Sequence, residues 1–378
     1  MPDDSSDFAG GQGTPESPWK IETARQLEEV RNHLDGYYVL NADIDLSSYG
    51  NFSPIGIFEP VSDAPEDQET PKLELAFTGI FDGKGHKISN VAISVPTQAG
   101  VGLFGCVAGD NGAVKNLVVE NVTATGYMLV SGVVGYKSSV NTFENITLQG
   151  TNSISGTQMI GGIVGGGFGD IKNCNAVAAI TLTGEGDVGM AGILAGGMED
   201  SSIISCTVIG GSINAVAGSI GIGGLAACAQ LSAEVKNCAV SNVAITVGEN
   251  CFIIGGLLGY AGTYAPDIPT AIDNCKATNV TISAPASTER IGGIIGSGFY
   301  TSAYAAMASM PGYEFLGAPG AFTVTNSASS GSITGGCTDL VGKIAGYIYD
   351  NSTVAGTCTS TMAGVTNNVG GDKNSAAL

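Results

Sequence analysis

Basic residues are the scarcest feature of this 378-residue chain: 14 Lys+Arg face 34 Asp+Glu, a net charge of -20, and the arginines number three, Arg25, Arg31 and Arg290. Nucleic acid is excluded as a partner by that balance, because binding through counterion release needs clustered Lys and Arg. Only two histidines, His33 and His86, are present, and no two of the nine cysteines form a C-x-x-C pair, so no zinc site is expected. No run of ~18 apolar residues occurs, which leaves no transmembrane helix. Charged residues are few (13%), yet the chain is 43% apolar with a mean hydropathy of +0.24, too much apolar surface for a disordered chain. Proline is sparse at 13, and the 58 glycines follow no strict G-X-Y period, which removes collagen.

What is present is a repeat. Val101-Gly102-Leu103-Phe104-Gly105, Ser131-Gly132-Val133-Val134-Gly135, Gly161-Gly162-Ile163-Val164-Gly165 and Ala191-Gly192-Ile193-Leu194-Ala195 put their second residue at 102, 132, 162 and 192, a spacing of 30. The phrase returns around Gly224, Gly256, Gly293 and, degenerate, Lys343, at spacings of 32, 32, 37 and 50. A second phrase comes after each first one, with Asn116, Asn145, Asn173, Asn237, Asn274 and Asn326. A β-branched run of period two completes the unit, such as Ala179-Ile180-Thr181-Leu182-Thr183.

Each period therefore reads as about three short strands divided by Gly or Asn turns. Helical repeats are excluded because each helical Gly costs ~1 kcal/mol. Stacking such units at ~4.8 Å per coil builds a parallel β-helix of about eight coils. Leu103, Val133, Ile163, Ile193, Leu225, Leu257, Ile294 and Ile344 should form one buried aliphatic column. The asparagines should stand at a bend, where they tolerate left-handed backbone, each bonding to the next coil. Cys174, Cys206, Cys238 and Cys275 share the repeat spacing and so one column. Cβ atoms ~4.8 Å apart suit free core thiols better than disulfides.

A solenoid needs caps over its open strand edges. A helix over 23–34 supplies one, with a capping box from Thr23 to Gln26 and an apolar face of Leu27, Val30 and Leu34. The organisation expected is a flexible acidic linker (1–17), an N-terminal cap (18–76), the β-helix (77–364) with an aromatic insertion at 297–323, and a tail (365–378).

The phrase first complete in Gly100-Val101-Gly102-Leu103-Phe104-Gly105 resembles the GLUG-motif repeat. Upstream, Pro18-Trp19-Lys20-Ile21, Asn41-Ala42-Asp43-Ile44-Asp45-Leu46, Pro54-Ile55-Gly56 and Phe77-Thr78-Gly79-Ile80-Phe81-Asp82-Gly83 look like the opening module of such proteins. The resemblance runs from about Pro18 to about Gly346. It implies an all-β, right-handed parallel β-helix and a surface location, as in bacterial adhesin-like proteins and accessory regions of immunoglobulin A proteases, and it brings no catalytic residues. The His-Glu-x-x-His signature of those proteases is absent. The opening Met1-Pro2-Asp3-Asp4-Ser5-Ser6-Asp7 reads as a mature N-terminus with an added Met. It resembles the acidic segment just behind the lipid-modified Cys of Bacteroidetes surface lipoproteins, implying a lipid anchor upstream and an extracellular or outer-membrane location.

No enzyme is expected, and no cofactor. Parallel β-helices do host polysaccharide lyases and glycoside hydrolases, which need paired carboxylates or calcium with a basic residue. Here Asp170, Asp187, Glu199, Asp200, Glu234, Glu249, Asp267, Asp273 and Glu289 fall mostly at turns, and Arg290 is the one repeat-region arginine. The acidic stretch Asp63–Glu69 lacks the alternating ligands of a calcium loop and reads as solvated. Contact with a glycan or surface-protein partner is assigned to the insertion, where Phe299, Tyr300, Tyr304, Tyr313 and Phe315 could stack on sugar rings or a protein, or pack on the solenoid's own side. The alternative is a purely structural stalk.

Overall fold

The computed structural model describes residues 8–62, 70–184, 189–230, 234–262, 269–298, 321–336, 340–348 and 352–372. Among them the chain winds as a parallel β-helix of three sheets. Each strand pairs with its equivalents one coil before and one coil after, so Val134 lies between Phe104 and Val164. Ala124 lies between Ile93 and Ile154 in the same way. The second sheet stacks eight strands and the third nine.

The coil around residue 125 shows the plan. Strand Ala113–Glu120 kinks at Asn116, and Thr123–Thr125 continues the first sheet after a turn at Asn121. Met128–Val130 belongs to the second sheet and Val134–Ser138 to the third. The Gly motif makes the corner between those last two. Alternation sets the filling: Ile154, Ile180, Ile213, Ile245, Ile282 and Ile333 align inward, while Ser155, Thr181, Thr246, Ser283 and Thr334 stand beside them on the outer face. The eight aliphatic residues at the Gly motif, from Leu103 to Ile344, are all fully buried.

Both bends of the first sheet are left-handed. Asn116, Asn145, Asn173, Asn237, Asn274 and Asn326 have φ of 51, 56, 53, 55, 50 and 49°, with Ser205 (55°) where the asparagine is missing. Asn145 Nδ2 donates to Asn116 Oδ1 (2.9 Å), Asn116 to Asp82 Oδ1 (3.0 Å) and Asn274 to Asn237 Oδ1 (2.7 Å). The asparagines thus bond from coil to coil as expected, each amide donating back to the coil before it. A second ladder one strand on has Asn90, Asn121, Asn242 and Asn279 at φ 53 to 60°, with Gly150 and Gly210 in its gaps. Asn and Gly share that ladder because both accept left-handed backbone at little cost.

The thiols of Cys174, Cys206, Cys238 and Cys275 are free and buried. Each Sγ donates to the carbonyl two residues back and to one on the preceding coil, as Cys238 does to Lys236 O and Ile203 O at 3.3 Å each. The neighbouring Cys206 thiol and burial push Cys238 up to about 12, so it remains a protonated donor at neutral pH.

Several boundaries differ from the sequence expectation. The helix, α1, covers only Ala24–Glu29, and Val30–Asn32 tightens into a 3-10 turn that ends on His33. Leu34 thus lies past the helix. Thr23 Oγ1 accepts from Gln26 N–H, but Gln26 Oε1 accepts from Glu22 N–H instead of closing the box on Thr23. Solenoid pairing begins well before residue 77: Trp19–Ile21 lies on Tyr37–Leu40, which lies on Ile80–Asp82. The linker assignment fails from Phe8 onward, since that ring is buried and stacks on Trp19 at 4.9 Å. Pairing also continues past residue 364 through Val369–Asp372, because backbone hydrogen bonds to strand Ala345–Ile348 outlast the side-chain pattern.

Candidate functional site

The Gly corner joins the second and third sheets without space for a Cβ. A Cβ on Gly162 would lie 2.3 Å from Ile193 O of the next coil, and one on Gly256 2.2 Å from Gly293 O. The motif's last glycine meets the preceding coil: a Cβ on Gly165 would lie 2.4 Å from Leu129 C. Gly102, Gly132, Gly192, Gly224 and Gly293 occupy the same column as Gly162 and Gly256. The two sheets press backbone against backbone along this seam.

Side chains beside the seam are driven outward. Leu129, Met159, Ile253 and Arg290 each take a left-handed φ, 58, 52, 60 and 57°. Bulky residues rarely adopt that region, and Ile253 is β-branched. Opposite them, the third sheet presents a register-aligned column of Cys106, Tyr136, Gly166, then Cys228, Tyr260 and Ser297 in later coils. Two apolar clusters result, outside the solenoid's own core. One joins Cys106, Leu129 and Tyr136 with Phe58 and Phe168; the other joins Met190, Cys228, Ile253 and Tyr260. Arg290 continues the line, its guanidinium 5.8 Å from the ring centre of Tyr347.

Between these clusters lies a notch. Gly166 and Gly197 bring no side chain to the outer column, and a Cβ on Gly197 would find only Cys228 Sγ (3.2 Å) and Met159 Cε (3.8 Å) within 4 Å. The cavity left is about 400 Å³, lined chiefly by Phe58, Leu129, Tyr136, Met159, Phe168 and Cys228. Such a volume suits a small ligand or a few side chains. Phe58 and Tyr136 have ring centres 4.5 Å apart, and Tyr136 meets Phe168 edge-on at 6.4 Å. Among the described residues, the charged ones of the lining are Glu59 and Glu199, and none is Lys, Arg or His. Lys72 pairs with Glu59. Burial, then the charge of Glu199, pushes the Cys228 thiol up to about 12, which makes it an unreactive wall.

On the strand of Tyr136, Lys137 points the other way, into the solenoid. It is fully buried, its Nζ donates to Ser139 O (2.6 Å) and Phe168 O (2.7 Å), and it lies 4.8 Å from the Phe143 ring centre. Burial lowers its pKa to about 7, against a smaller opposing pull from Asp170.

Phe299, Tyr300, Tyr304, Tyr313 and Phe315 lie outside the described residues, as does the Asp63–Glu69 stretch. The structural assignments Asn116, Asn145, Asn173, Asn237, Asn274, Cys174, Cys206, Cys238 and Cys275 occupy the bends and wall positions described above. The notch itself was missed. Its signal was the extra glycines in Gly165-Gly166-Gly167 and Gly196-Gly197, where neighbouring coils carry Cys106, Tyr136, Cys228 and Tyr260. Among the described residues, no group of three or more His, Cys, Asp and Glu is placed to hold a metal. None of their helices is long and apolar enough to cross a membrane.

Known proteins are similar to this chain in part of their sequence or in fold. The GLUG motif matches residues 250–283. Halomucin of Haloquadratum walsbyi is 34% identical over 160 residues, 41% of this chain and 2% of that protein. A candidate Gly-rich membrane protein of Evansella cellulosilytica is 37% identical over 151 residues, 39% of this chain and 16% of that protein. The chain thus spans a small part of the curated relatives it matches. Among solved structures, a candidate immunoglobulin A1 protease from Bacteroides ovatus superposes with a TM-score of 0.50 at 18% identity, covering 97% of this chain and 87% of that one. That likeness concerns the fold alone.

Proposed function

Because the chain is a GLUG-repeat β-helix, we propose that it is a cell-surface, non-catalytic binding protein whose rigid solenoid holds outward-facing sites toward a glycan or protein partner. The observation that carries this reading is the division of space around the coil. The interior is sealed by stacked aliphatic side chains, while the notch beside the Gly seam opens outward. Function on a repeat scaffold resides where regularity is broken, and the outer column breaks at Gly166 and Gly197. The names of the halomucin and Gly-rich membrane relatives support a cell-surface, extracellular setting.

A glycan array combined with pull-down from surface extracts tests the proposal. Saturable binding to a defined glycan or surface protein is the expected result, and absence of binding in both would favour a purely structural stalk. Release of reducing or unsaturated sugars from acidic or neutral polysaccharides would overturn the non-catalytic part.

A further inference from the structure

We infer that Asn111 modifies itself: the backbone nitrogen of Gly112 displaces the side-chain amide of Asn111 as ammonia, and water then opens the resulting imide to aspartate or isoaspartate. The inference goes beyond the binding reading and does not depend on it. It rests on the turn that carries the chain's only Asn-Gly pair.

Gly109-Asp110-Asn111-Gly112 carries the chain from strand Phe104–Ala108 of the third sheet to strand Ala113–Glu120 of the first. Glycine at 112 is imposed by the fold, since a Cβ there would lie 2.2 Å from Ala108 O. It also leaves the backbone nitrogen unshielded by a side chain, next to the carboxamide of an exposed Asn111. Among the described residues, neither the Asn111 side chain nor the Gly112 N–H has a hydrogen-bond partner, so no bond must break before the two meet. Because they sit on adjacent residues, the attack is intramolecular and avoids the entropy of bringing them together. A bond forms from Gly112 N to Asn111 Cγ, the Cγ–Nδ2 bond breaks, and the N–H proton passes through solvent to the leaving ammonia. Water then cleaves one of the two C–N bonds of the imide. Cleavage of the new bond gives aspartate, and cleavage of the original peptide bond gives isoaspartate.

The bend asparagines lack this combination. Asn121, Asn145, Asn274 and Asn279 commit their amides to the ladder. The nitrogens after them belong to Val122, Ile146, Cys275 and Val280, whose side chains crowd the attack. Asn111 is bracketed instead by carbonyls held from the next coil: Asp110 O accepts from Asn141 Nδ2 (2.6 Å) and Gly112 O from Ser139 Oγ (2.5 Å). Isoaspartate adds a methylene to the main chain between those two anchors. The added length loosens the contact with Ser139, whose own carbonyl accepts from Lys137 Nζ. Aspartate leaves the backbone as it was. The turn thus ages into two forms, one that keeps the coil-to-coil bonds and one that strains them.

Incubating the full chain at pH 7 and at pH 9, then mapping its tryptic peptides by mass, tests the inference. The peptide Ile88–Lys115 holds Asn111 together with the ladder residue Asn90, and fragmentation tells the two apart. Conversion of amide to acid should appear at Asn111 at least five-fold faster than at Asn90, as both aspartate and isoaspartate. It should be faster at pH 9, because the attacking nitrogen must lose its proton. Asn111→Gln should abolish it, since the longer side chain closes its ring poorly, and should leave the thermal midpoint unchanged. Aged chain purified for isoaspartate should unfold at a lower temperature than Asn111→Asp, which should match the fresh protein. Conversion at Asn111 no faster than at Asn90 overturns the inference, and an isoaspartate form as stable as Asn111→Asp overturns the loosening of the turn.

Discussion

The Asn bends and the Gly seam solve the same geometric problem in opposite ways. Both use left-handed backbone, the bends in coil after coil and the seam in the coils of Gly100, Leu129, Met159, Ile253 and Arg290. At the bends this conformation falls to Asn, Gly or Ser, for which it costs little, and the freed side chains ladder to one another at 2.7–3.2 Å. At the seam it falls to Leu129, Met159, Ile253 and Arg290, for which it is costly. Strain is therefore low at the two corners that only turn the chain and gathered beside the seam, where Leu129 and Met159 also line the notch. The seam tolerates it where backbone packs on backbone on both sides.

Breaking the seam should produce the largest effect. Gly162→Val puts a branched side chain 2.3 Å from Ile193 O, in contact with backbone that cannot retreat without parting two coils. The expected loss exceeds ~3 kcal/mol, read by chemical denaturation as a markedly lower midpoint or failure to fold.

Lys137 tests the interior behind the seam. Its pKa falls from 10.5 to about 7 on folding, so between those values the unfolded chain holds the extra proton. Stability should therefore rise from pH 7 toward pH 10 on this account, with the full penalty present below pH 7. Lys137→Met removes the buried cation but leaves Ser139 O and Phe168 O without their donor. The net expectation at pH 6 is a gain of about 2 kcal/mol, charge relief outweighing the two lost bonds. The variant's stability should also lose the wild-type slope between pH 7 and 10, measured by urea unfolding across that range.

The Asn bends should yield less. Asn145→Ala loses a 2.9 Å ladder bond and places a Cβ residue with no local hydrogen bond at φ 56°, a cost of about 1–2 kcal/mol. Asn145→Gly keeps the backbone and should cost less than half as much. Equal losses for the two would show that the ladder bonds, and not the backbone conformation, hold the bend. The smallest effect sharpens the contrast: Ile253→Leu keeps the volume and removes β-branching at φ 60°, for an expected gain of about 0.5 kcal/mol in thermal unfolding. The same change at Ile163, buried inside the coil, should be destabilising.

Much of the fold was legible in the residues alone. The 30-residue spacing of Gly102, Gly132, Gly162 and Gly192 implied coils, the asparagines implied left-handed bends, and Leu103 to Ile344 marked the core, because each is a local property repeated at a fixed interval. The second Asn ladder was less visible, since Gly150 and Gly210 interrupt Asn90, Asn121, Asn242 and Asn279. The helix was overextended for a related reason: Leu34 continues its apolar period, but Asp35-Gly36 and the Tyr38 hydroxyl on His33 O (2.5 Å) turn the chain first. Both solenoid ends were misplaced because β-pairing runs through backbone groups, which carry no side-chain signature at Trp19–Ile21 or Val369–Asp372.

By itself, then, the sequence determined the repeat, its strand content, its inward column and its two classes of turn residue, since a solenoid repeats one local solution. Only the tertiary structure decided where that solution leaves space. The notch needs Phe58, Tyr136, Met159, Gly197 and Cys228, drawn from separate coils and one N-terminal loop, to meet outside the core. Lys137 became a buried cation only because its strand turned that position inward over Phe143. Neither outcome has a period to read, because each depends on what one coil omits and what its neighbours then present.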